Sequence, residues 1–290
     1  MTGMRAEVWG SPISHSRSPD LHHACYTRLG IPGEYTKREV TEATLAIEFA
    51  THRDTLSGIS LTMPLKTGIL ELVADHRGDV DTLHAANTAI SSDGQWWLTN
   101  TDPLGAAAML RRLLPNPSSD VFLLGSGATA KSIVLGLHHV AFTGTLTIVV
   151  RSTPRASETL ALAHSLGLSA TVTGFDSPRA ISHAALTIST LPSGTSLPDD
   201  VLSALCHSES PLMDVGYHPW PTPLATAWLD RGLDAHSGLP MLMFQALGQI
   251  RAFIHGDTAV PLADEGGALR AMAKAIGLDD VWATPALMGQ

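Results

Sequence analysis

The stretch V-F-L-L-G-S-G-A-T-A-K-S, residues 121–132, decides the fold of this chain. Its apolar start has strand character and runs directly into Gly125, and an amphipathic helical pattern follows. Strand, glycine turn and helix in succession are the setting in which G-x-G-x-x-A binds a dinucleotide. The glycines let the backbone approach a pyrophosphate, and the helix N-terminus supplies N–H donors. We therefore expect Gly125, Gly127 and Ala130 to form a pyrophosphate-binding turn; an ordinary strand-to-helix turn is the simpler alternative.

The same residues are close to a second anion-binding pattern, the phosphate loop G-x-x-x-x-G-K-S. Lys131 and Ser132 are in place, but Ala130 stands where that loop needs its second glycine. The glycine allows a backbone conformation that a Cβ disfavours. The dinucleotide interpretation is therefore favoured over a nucleoside triphosphatase or a kinase.

The residues after the next strand indicate which dinucleotide is bound. Residues 146–150 read as that strand, R-S-T-P-R follows at 151–155, and neither segment contains an acidic residue. NAD sites usually place Asp or Glu here for the ribose 2′-hydroxyl, whereas NADP sites need positive charge for the 2′-phosphate. We predict NADP, held by Arg151, Ser152 and Arg155. Two solvated arginines at a helix start are the alternative.

Strand and helix patterns alternate on both sides of this motif. From residue 117 onward the alternation is regular, which is typical of a doubly wound parallel sheet, and residues 1–103 also read as α/β. From Pro240 the chain reads as helices that no strand follows, so these helices are expected to return to the first block. The segment P-N-P-S-S-D at 115–120 is a candidate linker or hinge. The predicted strands cover 6–9, 34–40, 58–61, 88–91, 121–124, 146–150, 170–173, 186–189 and 212–215, and an early helix covers 42–53.

Composition excludes several classes of protein. The 290 residues are 44% hydrophobic and 16% charged, which excludes a disordered chain and a coiled coil. No apolar run approaches the roughly 18 residues that a membrane helix needs. The net charge of −9, without a basic block, argues against nucleic-acid binding. Cys25 and Cys206 are expected to be buried free thiols of a cytoplasmic protein, and the scattered histidines predict no metal site.

Polar clusters interrupt the apolar pattern of the first block. Their hydroxyl, amide, lysine and carboxylate groups are those that a small polyhydroxylated acid would need. Helix capping is the alternative explanation, by Ser16 or Ser18 for one helix and by Asn100 or Asp102 for another. The clusters lie at 10–19, 60–66, 87–88 and 100–102.

Lys66 is the member of these clusters most suited to proton transfer. The chain has 14 Arg and only 4 Lys, so its ordinary surface cation is arginine. Arginine cannot release a proton in a protein, whereas lysine can act as a general acid or base. Lys66, beside Thr62 and with Asp102 as a candidate partner, is therefore a candidate catalytic residue. A solvated surface lysine is the alternative.

Together these motifs resemble the shikimate dehydrogenase family. That family reduces 3-dehydroshikimate to shikimate with NADPH, in a two-domain fold whose C-terminal helices return to the substrate domain. The resemblance implies a substrate-binding domain of residues 1–103 and 239–290, an NADP-binding Rossmann-like domain of residues 104–238, and a monomer or homodimer. The matching motifs are V-W-G-S-P-I-S-H-S-R-S-P from Val8, S-L-T-M-P-L-K from Ser60, A-N-T at 86–88, N-T-D-x-x-G at 100–105, the glycine turn and G-L-P-M-L-M-F-Q from Gly238.

The resemblance also implies a role for each matching residue. Lys66 and Asp102 would be the catalytic pair, with Lys66 supplying a proton to the alkoxide that forms at C3 and Asp102 holding Lys66. The implied substrate-binding residues are Ser16 and Ser18 at the carboxylate, Thr62, Asn87 and Gln245 at the ring hydroxyls, and Tyr217 near the carboxylate. The implied cofactor-binding residues are Gly125, Gly127, Ala130, Arg151, Ser152 and Arg155, with Gly238 and Met241 near the nicotinamide.

Three positions depart from the family pattern. Ser60 stands where the family commonly has a substrate-contacting asparagine. The glycine turn reads G-S-G-A-T-A where G-A-G-G-A-A is usual, which adds a side chain at Ala128, and Val150 replaces an asparagine near the adenosine. A quinate or aminoshikimate dehydrogenase is therefore an alternative. A non-catalytic NADP-binding sensor is disfavoured, because Lys66 and Asp102 are both present.

Overall fold

The structure, a computed structural model, describes residues 3–177 and 183–289 of the chain. The chain forms two compact units. Unit 1 consists of Met1–Gly105 and Leu242–Gln290, and unit 2 consists of Ala106–Met241. The expected return of the C-terminal helices to the N-terminal block is confirmed.

Unit 1 is built on a six-stranded mixed sheet with strand order β2-β1-β3-β5-β6-β4. Strand β1 is parallel to β2 and β3, while β5 is antiparallel to β3 and β6. Because β1 and β3 are parallel, the polar loops that follow them leave the same edge of the sheet. The elements are β1 (Met4–Gly10), α1 (Ser18–Leu29), β2 (Gly33–Glu39), α2 (Leu45–His52), β3 (Gly58–Leu61), β4 (Asp75–His76), α3 (Val80–Leu83), β5 (Thr88–Ser92) and β6 (Gln95–Thr99).

Strand β6 is absent from the sequence prediction. It forms a hairpin with β5 through Asp93 and Gly94, whose φ angles of 50° and 78° are those of a type I′ turn. An Asp-Gly pair between two strands is a strong hairpin signal, so β6 was predictable. The predicted helix at 42–53 begins later, at Leu45, because Thr41 and Thr44 form a hydrogen-bonded turn before it.

Unit 2 contains a six-stranded sheet with order β12-β11-β10-β7-β8-β9, and all of its pairings are parallel. Counted from β7, this is the 3-2-1-4-5-6 order of doubly wound dinucleotide-binding sheets, so the predicted fold class is confirmed. The elements after β6 are α4 (Asp102–Leu113), which begins in unit 1, β7 (Val121–Leu124), α5 (Ala128–His139), β8 (Thr145–Val150), α6 (Ser157–Ser165), β9 (Ser169–Gly174), β10 (Leu186–Ser189), α7 (Asp199–Cys206), β11 (Leu212–Asp214), α8 (Pro223–Leu229) and β12 (Ala235–His236).

The interpretation of residues 115–120 as a linker or hinge is wrong. The segment lies inside unit 2, where it connects α4 to β7. Its turn-forming residues make a local turn, in which Asn116 accepts hydrogen bonds from Ser118 N at 3.1 Å through its side chain and from Ser119 N at 3.1 Å through its carbonyl.

Two C-terminal helices complete unit 1: α9 (Leu239–His255), whose first residues belong to unit 2, and α10 (Glu265–Ile276). Gly58 of β3 leaves room for Phe253 of α9, since a Cβ at this glycine would lie 2.3 Å from the ring. Arg251 of α9 forms a buried ion pair with Glu265 of α10. The sheet of unit 1 is therefore covered by residues that come from the far end of the sequence.

Three further sequence expectations concern the cysteines, membrane-spanning helices and metal-binding groups. Cys25 and Cys206 are buried free thiols, as predicted. Within residues 3–177 and 183–289, no helix has both the length and the hydropathy of a membrane span. Over the same part of the chain, no group of three or more His, Cys, Asp and Glu side chains is placed to hold a metal ion.

Candidate active site

Two polar loops of unit 1 bring Lys66 and Asp102 together. Lys66 follows β3, and Asp102 is the first residue of α4. The Lys66 Nζ donates to Asp102 Oδ2 over 2.5 Å, and the two side chains are 21% and 11% exposed. Lys66 is therefore a partly enclosed, ion-paired lysine and not a solvated one.

Hydrogen bonds from the neighbouring loop hold both members of the pair. Ala86 N donates to Lys66 O over 2.8 Å. Asn100 accepts from Asp102 N over 3.0 Å and donates to Ala85 O over 2.9 Å. Asn100 thus caps the start of α4, as the capping alternative predicted, and the Asp102 carboxylate is left for Lys66.

Asn87, which is 1% exposed, holds the other oxygen of Asp102. Its Nδ2 donates to Asp102 Oδ1 over 2.8 Å and also lies 2.9 Å from Thr101 Oγ1 and 3.2 Å from Gln245 Oε1. A primary amide has two hydrogens, so it cannot fully serve three acceptors. Gln245 Oε1, the most distant of them, is the acceptor best able to take a hydroxyl of a ligand.

The serines predicted to bind a carboxylate lie between β1 and the first turn of α1. Ser16 Oγ accepts from Ser18 N over 3.3 Å, so capping describes part of the role of Ser16. Ser18 is buried, and its hydroxyl faces Tyr35, whose pKa is raised by burial and lowered by Ser18 and Ser60. Thr62 follows β3, is half-buried and packs against Gly10, where a Cβ would lie 2.3 Å from Thr62 Cγ2.

The glycine turn of unit 2 has the geometry of an anion cradle. Gly125 has a φ of 99°, and a Cβ there would lie 2.6 Å from Thr190 Oγ1, so only glycine fits. No atom lies within 4 Å of the Cβ position of Gly127, which leaves open space in front of the helix. Helix α5 begins at Ala128 without a side-chain cap, so its first N–H groups are available to a pyrophosphate. Ala130 is buried behind the turn.

The cations after β8 are placed for a phosphate. Arg151 and Arg155 are exposed, and Ser152 between them is half-buried. Among the described residues, no hydrogen bond or ion pair engages either guanidinium. Free guanidinium groups at the end of the second strand fit the 2′-phosphate of NADP, and with the glycine turn they make unit 2 a fitting NADP site.

The phosphate-loop alternative does not fit the same region. Lys131 Nζ donates to Glu158 over 2.7 Å, and Ser132 Oγ donates to Ala128 O over 3.3 Å. Both side chains that such a loop would aim at a triphosphate are therefore bonded to protein groups.

The remaining predicted site residues also lie in unit 2. Tyr217 is half-buried in the loop between β11 and α8. Gly238 has no room for a side chain, because a Cβ would lie 2.1 Å from Val215 O. Met241 is buried near the start of α9.

Comparison with known proteins identifies relatives of the whole chain. The family model of the shikimate dehydrogenase substrate binding domain matches residues 8–89. A shikimate dehydrogenase (NADP(+)) of Sphingopyxis alaskensis is 32% identical over 245 residues, which cover 83% of this chain and 87% of the relative. The chain belongs to the shikimate dehydrogenase family.

Two solved structures of shikimate dehydrogenases have the same fold. The enzyme of Mycobacterium tuberculosis is 32% identical with a TM-score of 0.77, and the match covers 93% of this chain and 99% of that one. The enzyme of Thermus thermophilus, in complex with NADP(H) and shikimate, is 25% identical with a TM-score of 0.75, and that match covers 94% of this chain and 99% of the other.

The structure explains one departure from the shikimate dehydrogenase pattern. Ser60 is 3% exposed, accepts from the Tyr35 hydroxyl over 2.7 Å and donates to Gln249 Oε1 over 3.0 Å. The hydroxyl is turned into the protein, so it does not replace the asparagine that contacts substrate in the family. The side chain added at Ala128 is exposed and leaves the glycine turn intact.

Sequence reasoning missed a carboxylate that shapes the loop before α8. Asp214 at the end of β11 is buried and accepts from Thr222 Oγ1 over 2.6 Å and from Gly216 N over 3.1 Å. Burial holds the pKa of Asp214 above its usual value, because it outweighs these hydrogen bonds, which lower the pKa. An acidic residue at the end of an apolar strand was the available signal. Tyr217 is held within the loop that Asp214 orders.

Proposed function

We propose that this protein reversibly reduces 3-dehydroshikimate to shikimate with NADPH, a step of aromatic amino acid biosynthesis. The observation that carries the proposal is the Lys66–Asp102 pair, with Asn87 bound to the second carboxylate oxygen. The names of the relatives in the family, shikimate dehydrogenase (NADP(+)), support the same reaction. In the proposal, unit 1 binds the substrate and unit 2 binds the cofactor.

The polar groups of unit 1 bind and orient the substrate. Ser16 and Ser18 donate to its carboxylate, the Ser18 hydroxyl turning from Tyr35 to the ligand, and Thr62, Asn87 and Gln245 bind ring hydroxyls. Holding the ring at several points lowers the entropic part of the barrier. Tyr217 is assigned to the carboxylate on the family resemblance.

Lys66 is the general acid of the reduction and the general base of the reverse reaction. When bound, NADPH supplies the hydride that reduces the carbonyl carbon. Negative charge then develops on the carbonyl oxygen, and the ammonium group of Lys66 stabilises it and donates a proton from Nζ. Asp102 and Asn87 keep Nζ in place, since Asp102 accepts from Lys66 and Asn87 immobilises the carboxylate. In the reverse direction, Lys66 accepts the proton of the hydroxyl.

The cofactor is assigned to unit 2. The backbone at Gly125 and Gly127 and the start of α5 would hold the pyrophosphate. Arg151, Ser152 and Arg155 would hold the 2′-phosphate, and the assignment of Gly238 and Met241 to the nicotinamide follows the family resemblance. The open space at Gly127 supports this assignment, as do the guanidinium groups of Arg151 and Arg155, which have no partner among the residues that the structure describes.

An activity assay tests the proposal. NADPH absorbance is followed with 3-dehydroshikimate, and NADP reduction is followed with shikimate and with quinate. We expect turnover of 3-dehydroshikimate and shikimate, and a quinate kcat/KM equal to or above that of shikimate would favour the quinate alternative. An NADPH-binding protein that converts none of these compounds contradicts the proposal and favours a sensor.

The Lys66→Ala variant tests the catalytic role. We expect kcat to fall by about 10²–10⁴-fold, the range for a lost general acid, with little change in KM. Lys66→Arg is the matched control, because it keeps the charge but cannot release a proton, and it is expected to be equally slow. Near wild-type kcat in either variant would contradict the assignment.

We also propose that the protein is cytoplasmic and acts as a monomer or homodimer on small molecules alone. Two buried free cysteines and a net charge of −9 support this. Cell fractionation and light scattering of the purified protein test it.

A further inference from the structure

Buried polar side chains of unit 1 that are not among the predicted site residues form a hydrogen-bonded chain that leads into the candidate site. It begins at Tyr35 in β2, which is fully buried and donates to Ser60 Oγ over 2.7 Å. Ser60 donates in turn to Gln249 Oε1 over 3.0 Å. Gln249 lies on α9 and is 2% exposed. The chain therefore connects the sheet of unit 1 to the helix that returns from the C-terminal part of the sequence.

Gln249 continues the chain to the centre of the candidate site. Its Nε2 donates to Asn87 O over 3.1 Å and to Thr88 Oγ1 over 3.2 Å. Thr88 Oγ1 donates to Asn87 Oδ1 over 2.7 Å, and Asn87 Nδ2 donates to Asp102 Oδ1 over 2.8 Å. Asp102 holds Lys66, so the chain ends at the group assigned to proton transfer.

The hydrogen bonds of this chain have one consistent direction. Tyr35 donates to Ser60, and Ser60 donates to the carbonyl oxygen of Gln249, which leaves the Gln249 amide nitrogen to donate toward Asn87. Asn87 Oδ1 accepts from Thr88 Oγ1 and, over 2.9 Å, from Thr101 N, so the Asn87 amide has its nitrogen toward the Asp102 carboxylate. Gln249 thus acts on Asn87 through Thr88 and through the Asn87 carbonyl, beside a fixed backbone donor. A reversed Asn87 amide would place two acceptors face to face, because a carboxylate can only accept.

We propose that Gln249 is a positioning residue of the dehydrogenase: it orients the Asn87 carboxamide, and through it Asp102 and Lys66. Tyr35 and Ser60 hold Gln249 in this role, which is why Ser60 points into the protein. The inference rests on the proposed function. Each member is buried, so a missing partner leaves a polar group unpaired and shifts its neighbours.

The first test removes the amide. Gln249→Leu places an apolar side chain of similar size on α9, and this side chain has no donor for Asn87 or Thr88. We expect kcat for shikimate to fall about tenfold, the value of one lost hydrogen bond, with less than about threefold change in its KM. The KM for NADP stays at the wild-type value, because the residues assigned to the cofactor lie in unit 2.

Variants of the two hydroxyls provide a second test and a matched control. Tyr35→Phe and Ser60→Ala break the same chain before Gln249 and are expected to lower kcat by roughly threefold to tenfold. They also keep the inference testable if Gln249→Leu does not fold. Tyr26→Phe is the control, since Tyr26 is a buried tyrosine whose hydroxyl pairs with His22 Nδ1 at 3.0 Å. It is expected to keep wild-type kcat.

A pH profile separates positioning from packing. Gln249→Glu keeps the shape of the side chain but has a donor toward Asn87 only when protonated, and burial raises the pKa of such a carboxyl group. We expect the ratio of its kcat to that of wild type to rise from about pH 9 to about pH 6, while the Gln249→Leu ratio stays flat. Asp102 and Lys66 are present in both proteins, so their own titration cancels when the kcat of the variant is divided by that of wild type.

Three titratable groups pack in the same buried cluster. His22 stacks on Tyr35 and its side chain faces Gln249, and burial lowers the pKa of His22 to about 3. Burial raises the pKa of Tyr35 and of Tyr26. None of the three changes charge in the wild type over the interval that is measured. A carboxylate at position 249 would raise the pKa of His22, so His22→Gln/Gln249→Glu is measured beside Gln249→Glu, and the same rise of the ratio is expected.

The outcomes separate the inference from the proposed function. A wild-type protein that turns over neither shikimate nor 3-dehydroshikimate overturns both. An active wild type in which Gln249→Leu, Tyr35→Phe and Ser60→Ala have the same kcat as Tyr26→Phe overturns the inference alone. A flat pH ratio for Gln249→Glu at reduced kcat assigns Gln249 to packing and overturns its positioning role.

Discussion

Burial changes the chemistry of one histidine in α1. His22 is fully buried, its ring stacks on Tyr35 with centroids 3.6 Å apart, and its Nδ1 pairs with the Tyr26 hydroxyl at 3.0 Å. A charged imidazole in this surrounding would have no water, so burial lowers the pKa of His22 to about 3. The cluster beneath Ser18 is therefore neutral at physiological pH.

Because the pKa of His22 is lowered on folding, we expect the free energy of unfolding to fall in acid. In the unfolded chain His22 takes up a proton near its ordinary pKa of 6.5, and in the folded chain only near 3. Between these values the unfolded state binds one more proton, so the free energy of unfolding falls as pH falls. His22 alone makes the free energy of unfolding fall by up to about 1.4 kcal/mol for each pH unit.

Urea unfolding of His22→Gln at several pH values between these limits measures that contribution. We expect a shallower decline of stability with acid than in wild type. The neighbouring, exposed His23→Gln is the control and is expected to keep the wild-type slope. Equal slopes for all three proteins would contradict the neutral, buried state of His22.

The elements of unit 1 are joined by a buried ion pair as well as by apolar packing. Arg251 of α9 and Glu265 of α10 have side chains that are 3% and 6% exposed. Arg251 Nε donates to Glu265 Oε2 over 2.8 Å, and Leu262 N donates to the same oxygen over 3.1 Å. Breaking such a pair on one side leaves an uncompensated buried charge.

Arg251→Met is therefore expected to lower the free energy of unfolding by about 3–5 kcal/mol. The double variant Arg251→Met/Glu265→Leu removes both charges and is expected to recover most of this loss. Arg28, which is half-exposed and pairs with Asp264 of the same region, is the control, and Arg28→Met should cost less than about 1 kcal/mol. Urea denaturation measures all three. A loss in the double variant as large as in Arg251→Met would contradict this account.

The whole chain carries a net charge of −9, which repels an anionic cofactor at long range. Binding must therefore come from local groups. Arg151 and Arg155 are exposed beside the end of β8, and the glycine turn and the start of α5 lie after β7, the strand next to it. A few hydrogen-bond donors and cations close to the cofactor thus outweigh the repulsion by the net negative charge, since salt screens distant charges much more than close ones.

Removing both arginines tests this balance. Arg151→Ala/Arg155→Ala is expected to raise the KM for NADPH by about 10²–10⁴-fold, since it removes two charge-assisted hydrogen bonds of roughly 1.5–3 kcal/mol each, and to change the KM for NADH by less than about twofold. Arg231→Ala, at another exposed arginine of unit 2, is the control. A wild-type preference for NAD, or equal losses with both cofactors, would contradict the assignment of these arginines.

Sequence patterns predicted the elements of both sheets with few misses. The strands at Gly58–Leu61, Val121–Leu124 and Leu186–Ser189 were predicted to the residue. V-F-L-L is a continuous apolar run, and G-I-S-L and L-T-I-S alternate apolar residues with small or hydroxyl ones, which is also typical of a short strand. The two-residue strands β4 and β12 were missed, since a periodic pattern needs more residues than they have. Gln249 was also missed, although a second glutamine one turn after Gln245 on an apolar helix was a readable signal.

The amino-acid sequence by itself determined the glycine turn, the parallel sheet and the residue types available for proton transfer, because these depend on neighbours within a few positions. Only the tertiary structure decided which distant side chains contact one another. Lys66 and Asp102 are 36 positions apart, and Gln249 reaches Asn87 O across 162 positions. Such contacts depend on strand register and on the helix that returns to unit 1. Burial, which a local pattern does not encode, turns Ser60 away from the ligand and toward Gln249.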